Sequence, residues 1–374
     1  MRILMPSIVD PSLEMGGAWK VTRGLLSVLR GEPLHAQVHV IPAPLRSGAA
    51  HRARQYAAFA RSLISPLPSK IQFSRSARMI SAVRRILKEQ EFDLILINGT
   101  DLLWLLPYLP RNRRVALVAH NIEHQLFADQ ITFELTPALL KPLLLRDCQR
   151  LREFELESLQ RVHNVIFLSS VDADYFRQQG LLLNTLTVPP LFDAPPSRVH
   201  EFRQRAPGVV EAGMVANFRW WPNRQGLRWL LSAVMPRLNR NVRIHLFGPD
   251  SERTSDHPQL VKHGYVDDVA QIWSKCDFMI SPSTCGGGVS VKTAEAISHR
   301  VPVVATPTAV RGLPLDADPA IIVLESTDDW VSFLNSASAQ KLACSRIACG
   351  TASRFHAEAY ADKITDFLRT ASGH

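Results

Sequence analysis

Short apolar runs, each followed by a longer amphipathic stretch, recur along the whole chain, and this alternation most restricts the fold. An apolar run with no polar face reads as a strand covered on both sides, which a parallel sheet with helical crossovers provides. In the N-terminal half the pattern predicts strands at Ile3–Pro6, Gln37–Ile41, Leu94–Ile97, Val115–Ala119 and Val165–Leu168, with helices at Ala18–Leu29, Ala77–Lys88 and Leu144–Leu159. Beyond Asp172 the prolines of Leu186-Thr187-Val188-Pro189-Pro190 and Asp193-Ala194-Pro195-Pro196 disfavour a continuous helix and read as an interdomain connection. A second series then predicts strands at Val209–Val215, Val242–Phe247, Phe278–Ser281, Val301–Ala305 and Ile321–Leu324. Its helices are expected at Asn223–Met235, Val269–Lys275, Val291–Ser298 and Asp328–Ala337, and a last one at Ser353–Leu368.

The expected fold class is therefore α/β: two Rossmann-like domains facing an interdomain cleft. Residues 1–190 form the first, joined by the C-terminal helix within 353–374, and 191–352 form the second. A length of 374 residues, 46% of them hydrophobic, is consistent with two such cores and excludes disorder as the dominant state. The net charge of +9 admits a nucleic acid, an anionic membrane or a phosphorylated small molecule as partner. Much of the bias is local, because no acidic residue occurs between Glu32 and Glu89. The five cysteines lack zinc-knuckle spacing and read as reduced thiols of a cytoplasmic protein. No stretch reaches the roughly 20 apolar residues that span a bilayer, so any membrane contact is expected to be peripheral.

Two glycine loops fall at strand ends. Gly16-Gly17 precedes a helix start, where backbone amides can approach a phosphate oxygen, although a tight turn would use the same residues. A fuller constellation follows Phe278–Ser281: Gly286-Gly287-Gly288-Val289, then Lys292 and Glu295 three positions apart on the next helix. Amides and Lys292 can offset phosphate charge, and Glu295 can accept from ribose hydroxyls; the alternative is a glycine turn with an exposed ion pair. Cys285 has no convincing activating partner and reads as packing rather than as a nucleophile.

The strand Val115–Ala119 ends in His120-Asn121-Ile122-Glu123-His124. An imidazole at a strand end can donate to developing charge or orient a hydroxyl, or merely cap local structure. The spacing is not that of a helical zinc motif, so no metal site is assigned.

With these residues in place the chain resembles the two-domain, metal-independent nucleotide-sugar glycosyltransferases, most closely the retaining family 4 type, whose architecture is called GT-B. The resemblance runs through Gly16-Gly17, His120-Asn121-Ile122-Glu123, Gly213, Trp221-Pro222-Asn223 and Gly226. It continues through Gly264-Tyr265-Val266-Asp267-Asp268-Val269, Cys276-Asp277 and Gly286 to Thr306. It implies that Gly16 and Gly17 contact donor phosphates or the acceptor edge, and that His120 lies beside the transferred sugar. Tyr265 and Val266 would line the base region, Glu295 would hold ribose, and Lys292 would lie near the diphosphate.

Two departures stand out. Many members carry two glutamates eight positions apart, but eight positions before Glu295 stands Gly287. Many also carry an Arg and a Lys after the first strand of the second domain, where this chain offers Arg219 and Arg224.

The expected reaction is retaining transfer of a sugar from a nucleoside diphosphate donor to a glycan or lipid-linked saccharide, with no cofactor, in polysaccharide biosynthesis. A nucleotide-sugar epimerase and a noncatalytic nucleotide-sugar-binding partner are the alternatives; nucleic acid is disfavoured because no reading motif is present. The segment Arg52–Ile64 interleaves Arg52, Arg54 and Arg61 with apolar residues and can form an interfacial surface against the cytoplasmic face of an anionic inner membrane, or a solvated helix packed on its own domain.

Overall fold

The computed structural model describes residues 1–13, 16–44, 49–134, 137–194, 208–267 and 269–373, with backbone alone for 49–52 and 270. Arg46, the Arg52 side chain, Pro195, Pro196 and Asp268 therefore lie outside the described residues. The chain divides into two compact units, Met1–Leu191 with Ala357–His374, and Phe192–His356.

The first unit holds β1 (Arg2–Ser7), β2 (Gln37–Pro42), β3 (Leu94–Asn98), β4 (Val115–Ala119), β5 (Asn164–Phe167) and β6 (Asn184–Thr187), all parallel in the order β2-β1-β3-β4-β5-β6. Its central strand β3, Leu-Ile-Leu-Ile-Asn, is buried at every position, as a strand covered on both faces must be. The helix Gly16–Arg30 crosses from β1 to β2 and turns Val21, Leu25, Leu26, Val28 and Leu29 inward. At Gly24 a Cβ would stand 2.0 Å from the Leu191 carbonyl oxygen, so only glycine lets this helix seat against the end of the unit's chain.

The second unit holds β7 (Val210–Val215), β8 (Val242–Phe247), β9 (Leu260–Lys262), β10 (Phe278–Ser281), β11 (Val303–Ala305) and β12 (Ile321–Val323), parallel in the order β12-β11-β10-β7-β8-β9. Each unit is thus a doubly wound sheet, and each has a point where successive crossovers leave in opposite directions: between β1 and β3, and between β7 and β10. Crevices at the carboxyl ends of such strand pairs are where ligands bind in open α/β sheets.

Two strands escaped the apolar pattern, β6 and β9. Both are edge strands without a fully buried position, so neither carries the continuous apolar signature of a central strand. Three expected helices are interrupted. The one at Asn223–Met235 is α-helical only over Trp221–Trp229, widens to a π-turn at Leu230–Val234 and tightens to a 3-10 turn at Met235–Arg237, where Pro236 lacks the amide hydrogen an α-helix would use. Asp328–Ala337 is two helices, Thr327–Leu334 and Ala337–Ala343, because Ser326 and Ser336 each cap a new start. Ser353–Leu368 breaks because its apolar residues serve different cores. Phe355 is fully buried in the second unit, whereas Ile364 and Leu368 are buried in the first, from the helix Ala361–Ser372.

Candidate active site

In the first unit the residues of interest gather at the carboxyl ends of β1, β3 and β4. Gly16 is itself the first residue of its helix, at φ +71°, and a Cβ there would meet nothing within 4 Å. The first turn carries no acidic residue, and Gly16 and Gly17 stand at the positive end of a 15-residue helix.

Ser7 closes β1, Asn98 closes β3 and His120 follows β4, and the three are joined. His120 Nε2 lies 2.8 Å from Asn98 Oδ1. Asn98 Nδ2 donates to Ser7 Oγ at 3.0 Å and to Thr22 Oγ1, on the glycine-led helix, at 2.8 Å. Ser7, Thr22 and Asn98 are fully buried, and His120 is 6% exposed. Burial pulls the His120 pKa down to about 4 against the opposing pull of the Glu123 charge, so the imidazole is neutral near pH 7. Asn98 was not singled out in the sequence; its one signal is a polar residue closing an otherwise apolar strand.

The next residues have a different task. The fully buried Glu155, from the helix Lys141–Val162, accepts from the backbone N–H groups of Glu123 and His124 at 2.9 Å each and meets His124 Nδ1 at 2.5 Å. Helix Glu123–Phe133 has no capping side chain of its own at Ile122, so Glu155 supplies that cap from outside. His124 Nε2 pairs with the Tyr175 hydroxyl at 2.8 Å, and Glu123 pairs with Lys70. Burial alone would lower the Lys70 pKa, but the charges of Asp101 and Glu123 outweigh it and hold the ammonium above its ordinary value. Glu123 and His124 therefore anchor the strand end on which His120 sits. Among the described residues no group of three His, Cys, Asp or Glu side chains is placed to hold a metal ion.

In the second unit two strand ends, those of β7 and β10, converge. The loop after β7 and the loop after β10 touch: a Cβ on Gly286 would lie 3.3 Å from Pro222 Cβ, and one on Gly226 would lie 2.4 Å from the Pro282 carbonyl oxygen. Gly286 and Gly288 have φ of +113° and +71°, backbone that a side chain would strain, while Gly287 does not. Lys292, half-buried on the first turn of Val291–Ser298, donates to Asn223 Oδ1 at 2.7 Å, and Asn223 Nδ2 donates to the Asn217 carbonyl at 2.8 Å. Burial lowers the Lys292 pKa to about 8. Glu295 is buried one turn on, so the alternative of an exposed ion pair does not describe these two residues.

The other expected residues are more dispersed. Arg219 commits its fork to Asp250, Nε and Nη2 each donating at 3.0 Å, and Arg224 Nη1 donates to the Arg219 carbonyl at 2.6 Å. Neither guanidinium meets the Lys292–Asn223 pair in these bonds. Trp221 is buried, whereas Trp220 is 48% exposed, so the two indoles divide between packing and surface. After β9, the Gly264 carbonyl accepts from Gly248 N at 2.6 Å and its N–H donates to Ser251 Oγ at 2.9 Å, fixing the turn that leads into exposed Tyr265 and half-buried Val266. Cys285 is buried.

Two parallel doubly wound units, each with its polar and glycine residues at the carboxyl edge of its sheet, define the GT-B class. Two family models divide the chain: Glycosyltransferase Family 4 matches residues 15–190, and Glycosyl transferases group 1 matches residues 210–337. The chain belongs to the two-domain, nucleotide-sugar-dependent glycosyltransferases of the family 4 type, with a nucleoside diphosphate sugar as donor.

Solved structures share the fold at low identity. HepE of Anabaena in complex with UDP and glucose is 17% identical with a TM-score of 0.62, over 99% of this chain and 100% of that one. Sucrose-phosphate synthase of Thermosynechococcus elongatus is 15% identical with a TM-score of 0.63, over 99% and 98%. WaaG, a glycosyltransferase involved in lipopolysaccharide biosynthesis, is 14% identical with a TM-score of 0.55, over 100% and 98%. No curated protein matches the chain.

Proposed function

We propose that the protein transfers a hexosyl or related sugar, with retention of configuration, from a nucleoside diphosphate donor to a hydroxyl of a glycan or lipid-linked saccharide. The observation that carries the donor half is the junction of Lys292 and Asn223 beside Gly286–Gly288, at the strand pair where the second sheet changes direction. As the bond from the anomeric carbon to the diphosphate oxygen breaks and the acceptor hydroxyl oxygen bonds to that carbon, negative charge grows on the leaving diphosphate, whose departing oxygen takes up the hydroxyl proton. Lys292 and the amides of Gly286, Gly287, Gly288 and Val289 meet that charge without a metal ion. Glu295 accepts from ribose, Tyr265 and Val266 flank the base, and Arg219 and Arg224 are outer phosphate partners. His120 meets the transferred sugar, and Gly16 and Gly17 contact the donor phosphates or the acceptor edge.

The uridine diphosphate and glucose bound to HepE make UDP-hexoses the first donors to try. A donor panel with mass-resolved products should show donor-dependent mass addition to a saccharide acceptor, with the anomeric proton coupling of the product reporting retention. Donor isomerisation in the absence of acceptor would replace this reading by epimerisation, and donor binding with neither product would replace it by a binding role.

A lipid-linked acceptor on the cytoplasmic face of an anionic membrane is supported by the surface of the first unit. No helix among the described residues is long and apolar enough to cross a membrane. Tyr56 on helix Ala49–Ser62 is exposed between exposed Arg54 and Arg61, and Leu63 and Ile64, just beyond the helix end, are exposed too, Ile64 to 92%. Arg150 donates to the Ser62 carbonyl at 2.6 Å and pairs with that of Ser65, bringing this segment beside the helix Lys141–Val162. The approach and first turns of that helix expose Leu139, Leu140, Leu143 and Leu145 with Lys141 and Arg146. Apolar side chains within a basic rim suit an anionic leaflet. Charge reversal at Arg54 and Arg61 should weaken binding to phosphatidylserine vesicles, read by co-sedimentation, by about thirtyfold or more at physiological salt, since each basic residue near the surface contributes about 1 kcal/mol. Unchanged sedimentation would remove the membrane from the proposal.

A further inference from the structure

The hydrogen bonds around Asn98 determine more than its position. Ser7 Oγ donates to the Val9 carbonyl at 2.8 Å and accepts from Val9 N at 3.3 Å, so its remaining lone pair faces Asn98. Thr22 Oγ1 donates to the Ala18 carbonyl at 2.8 Å and likewise offers Asn98 a lone pair. Both hydroxyl protons are therefore spent, and the group facing them must be the amide nitrogen, with its two hydrogens. Reversing the amide would break both hydroxyl-to-carbonyl bonds and leave one amide hydrogen of a fully buried side chain unpaired. The oxygen of Asn98 consequently faces His120 Nε2, and an acceptor there requires a hydrogen on that nitrogen.

We propose that Asn98 is a positioning residue that holds His120 in its Nε2–H tautomer, so that Nδ1 carries the lone pair and the imidazole serves its substrate as a hydrogen-bond acceptor. His120 makes no other hydrogen bond to the described residues. Burial keeps the ring from gaining a second proton near pH 7, which would turn that acceptor into a donor. The imidazole then orients a substrate hydroxyl through Nδ1; it does not place a cation beside the leaving group. The device belongs to the first unit alone: a serine from β1, an asparagine from β3, a threonine from the glycine-led helix and the histidine after β4. Its place in catalysis rests on the role proposed above for His120.

Long-range proton–nitrogen correlation spectra of the full chain, labelled with nitrogen-15 in histidine, read the tautomer directly, with the His120 signals assigned by their loss in His120→Gln. The expected spectrum shows a protonated Nε2 and an unprotonated Nδ1 at pH 7; the opposite tautomer would overturn the proposal whatever the activity. This measurement needs no Asn98 variant to fold and is independent of which donor or acceptor is used. In Asn98→Ala the lock is released: both tautomers should populate and kcat should fall about tenfold, with the donor KM within about threefold of wild type. Asn98→Asp retains an acceptor oxygen beside Nε2, so it should keep the wild-type tautomer and recover part of the lost kcat, while its charge raises the His120 pKa and moves the acid limb of the kcat profile upward. A folded Asn98→Ala protein with wild-type tautomer and kcat would also overturn the proposal.

Discussion

Replacing Lys292 by Met is expected to lower kcat/KM for the nucleotide-sugar donor by about 10²–10³-fold, the magnitude typical of losing one preorganised group aimed at developing charge. The side chain is half-buried and its pKa is already down to about 8, so the free protein holds an ammonium in an unfavourable place. A bound diphosphate relieves that cost. Donor affinity should accordingly weaken as pH rises from about 7 to 9 in the wild type, and this dependence should vanish in Lys292→Met. Stability moves in the opposite sense. Because the folded pKa lies below the unfolded value of 10.5, the unfolded chain binds more protons between about pH 8 and that value, and the Lys292 contribution to stability rises with pH across this window. At neutral pH, where the buried charge opposes folding, Lys292→Met should unfold at the same temperature or a higher one, which separates a lost phosphate contact from a damaged fold. Lys292→Arg should not restore activity, since a planar guanidinium cannot take the place of a compact ammonium against Asn223. Calorimetric titration of the donor between pH 7 and 9 checks the first expectation; wild-type affinity in Lys292→Met would remove this residue from the donor site.

Glu155→Ala is expected to destabilise the first unit by about 3–5 kcal/mol, the usual result of removing one member of a buried charged network. The carboxylate is fully buried and serves two backbone N–H groups and the His124 ring at once; alanine would leave all three without an acceptor. Glu155→Gln keeps one oxygen for the helix start and should lose less. Urea unfolding of the purified variants measures both, and a midpoint within error of wild type in Glu155→Ala would show that the helix start is held by other means. Because Glu123 follows His120 by three residues on the same strand end, the alanine variant should also lose transfer activity without touching any substrate.

The two predictions differ in how far the chain itself announced them. The place of Lys292 was legible, because it follows three glycines and a strand in local order. Glu155 was not, since an acidic residue in an amphipathic helix resembles any solvated position until the helix packs and buries it. The same division separates His120 from Asn98. The histidine follows a strand directly, but the asparagine that orients it comes from a neighbouring strand 22 residues away, and only the parallel register brings them together. Edge strands β6 and β9 lacked a local signal for a related reason: their pairing partners, not their own apolarity, hold them in the sheets.

Backbone periodicity and glycine placement are local properties, and the amino-acid sequence alone was enough to determine two α/β series, the central strands of each and the glycine loops at their carboxyl ends. Which polar groups meet there was decided only by tertiary structure. Lys292 and Asn223 are 69 residues apart, and their contact depends on β7 and β10 lying side by side although β8 and β9 intervene in the chain. Burial was settled at the same level. The energy of a buried charge or amide is set by groups that arrive from elsewhere in the sequence, which is why the neutral His120, the poised Lys292 and the capping Glu155 emerge only from the folded chain.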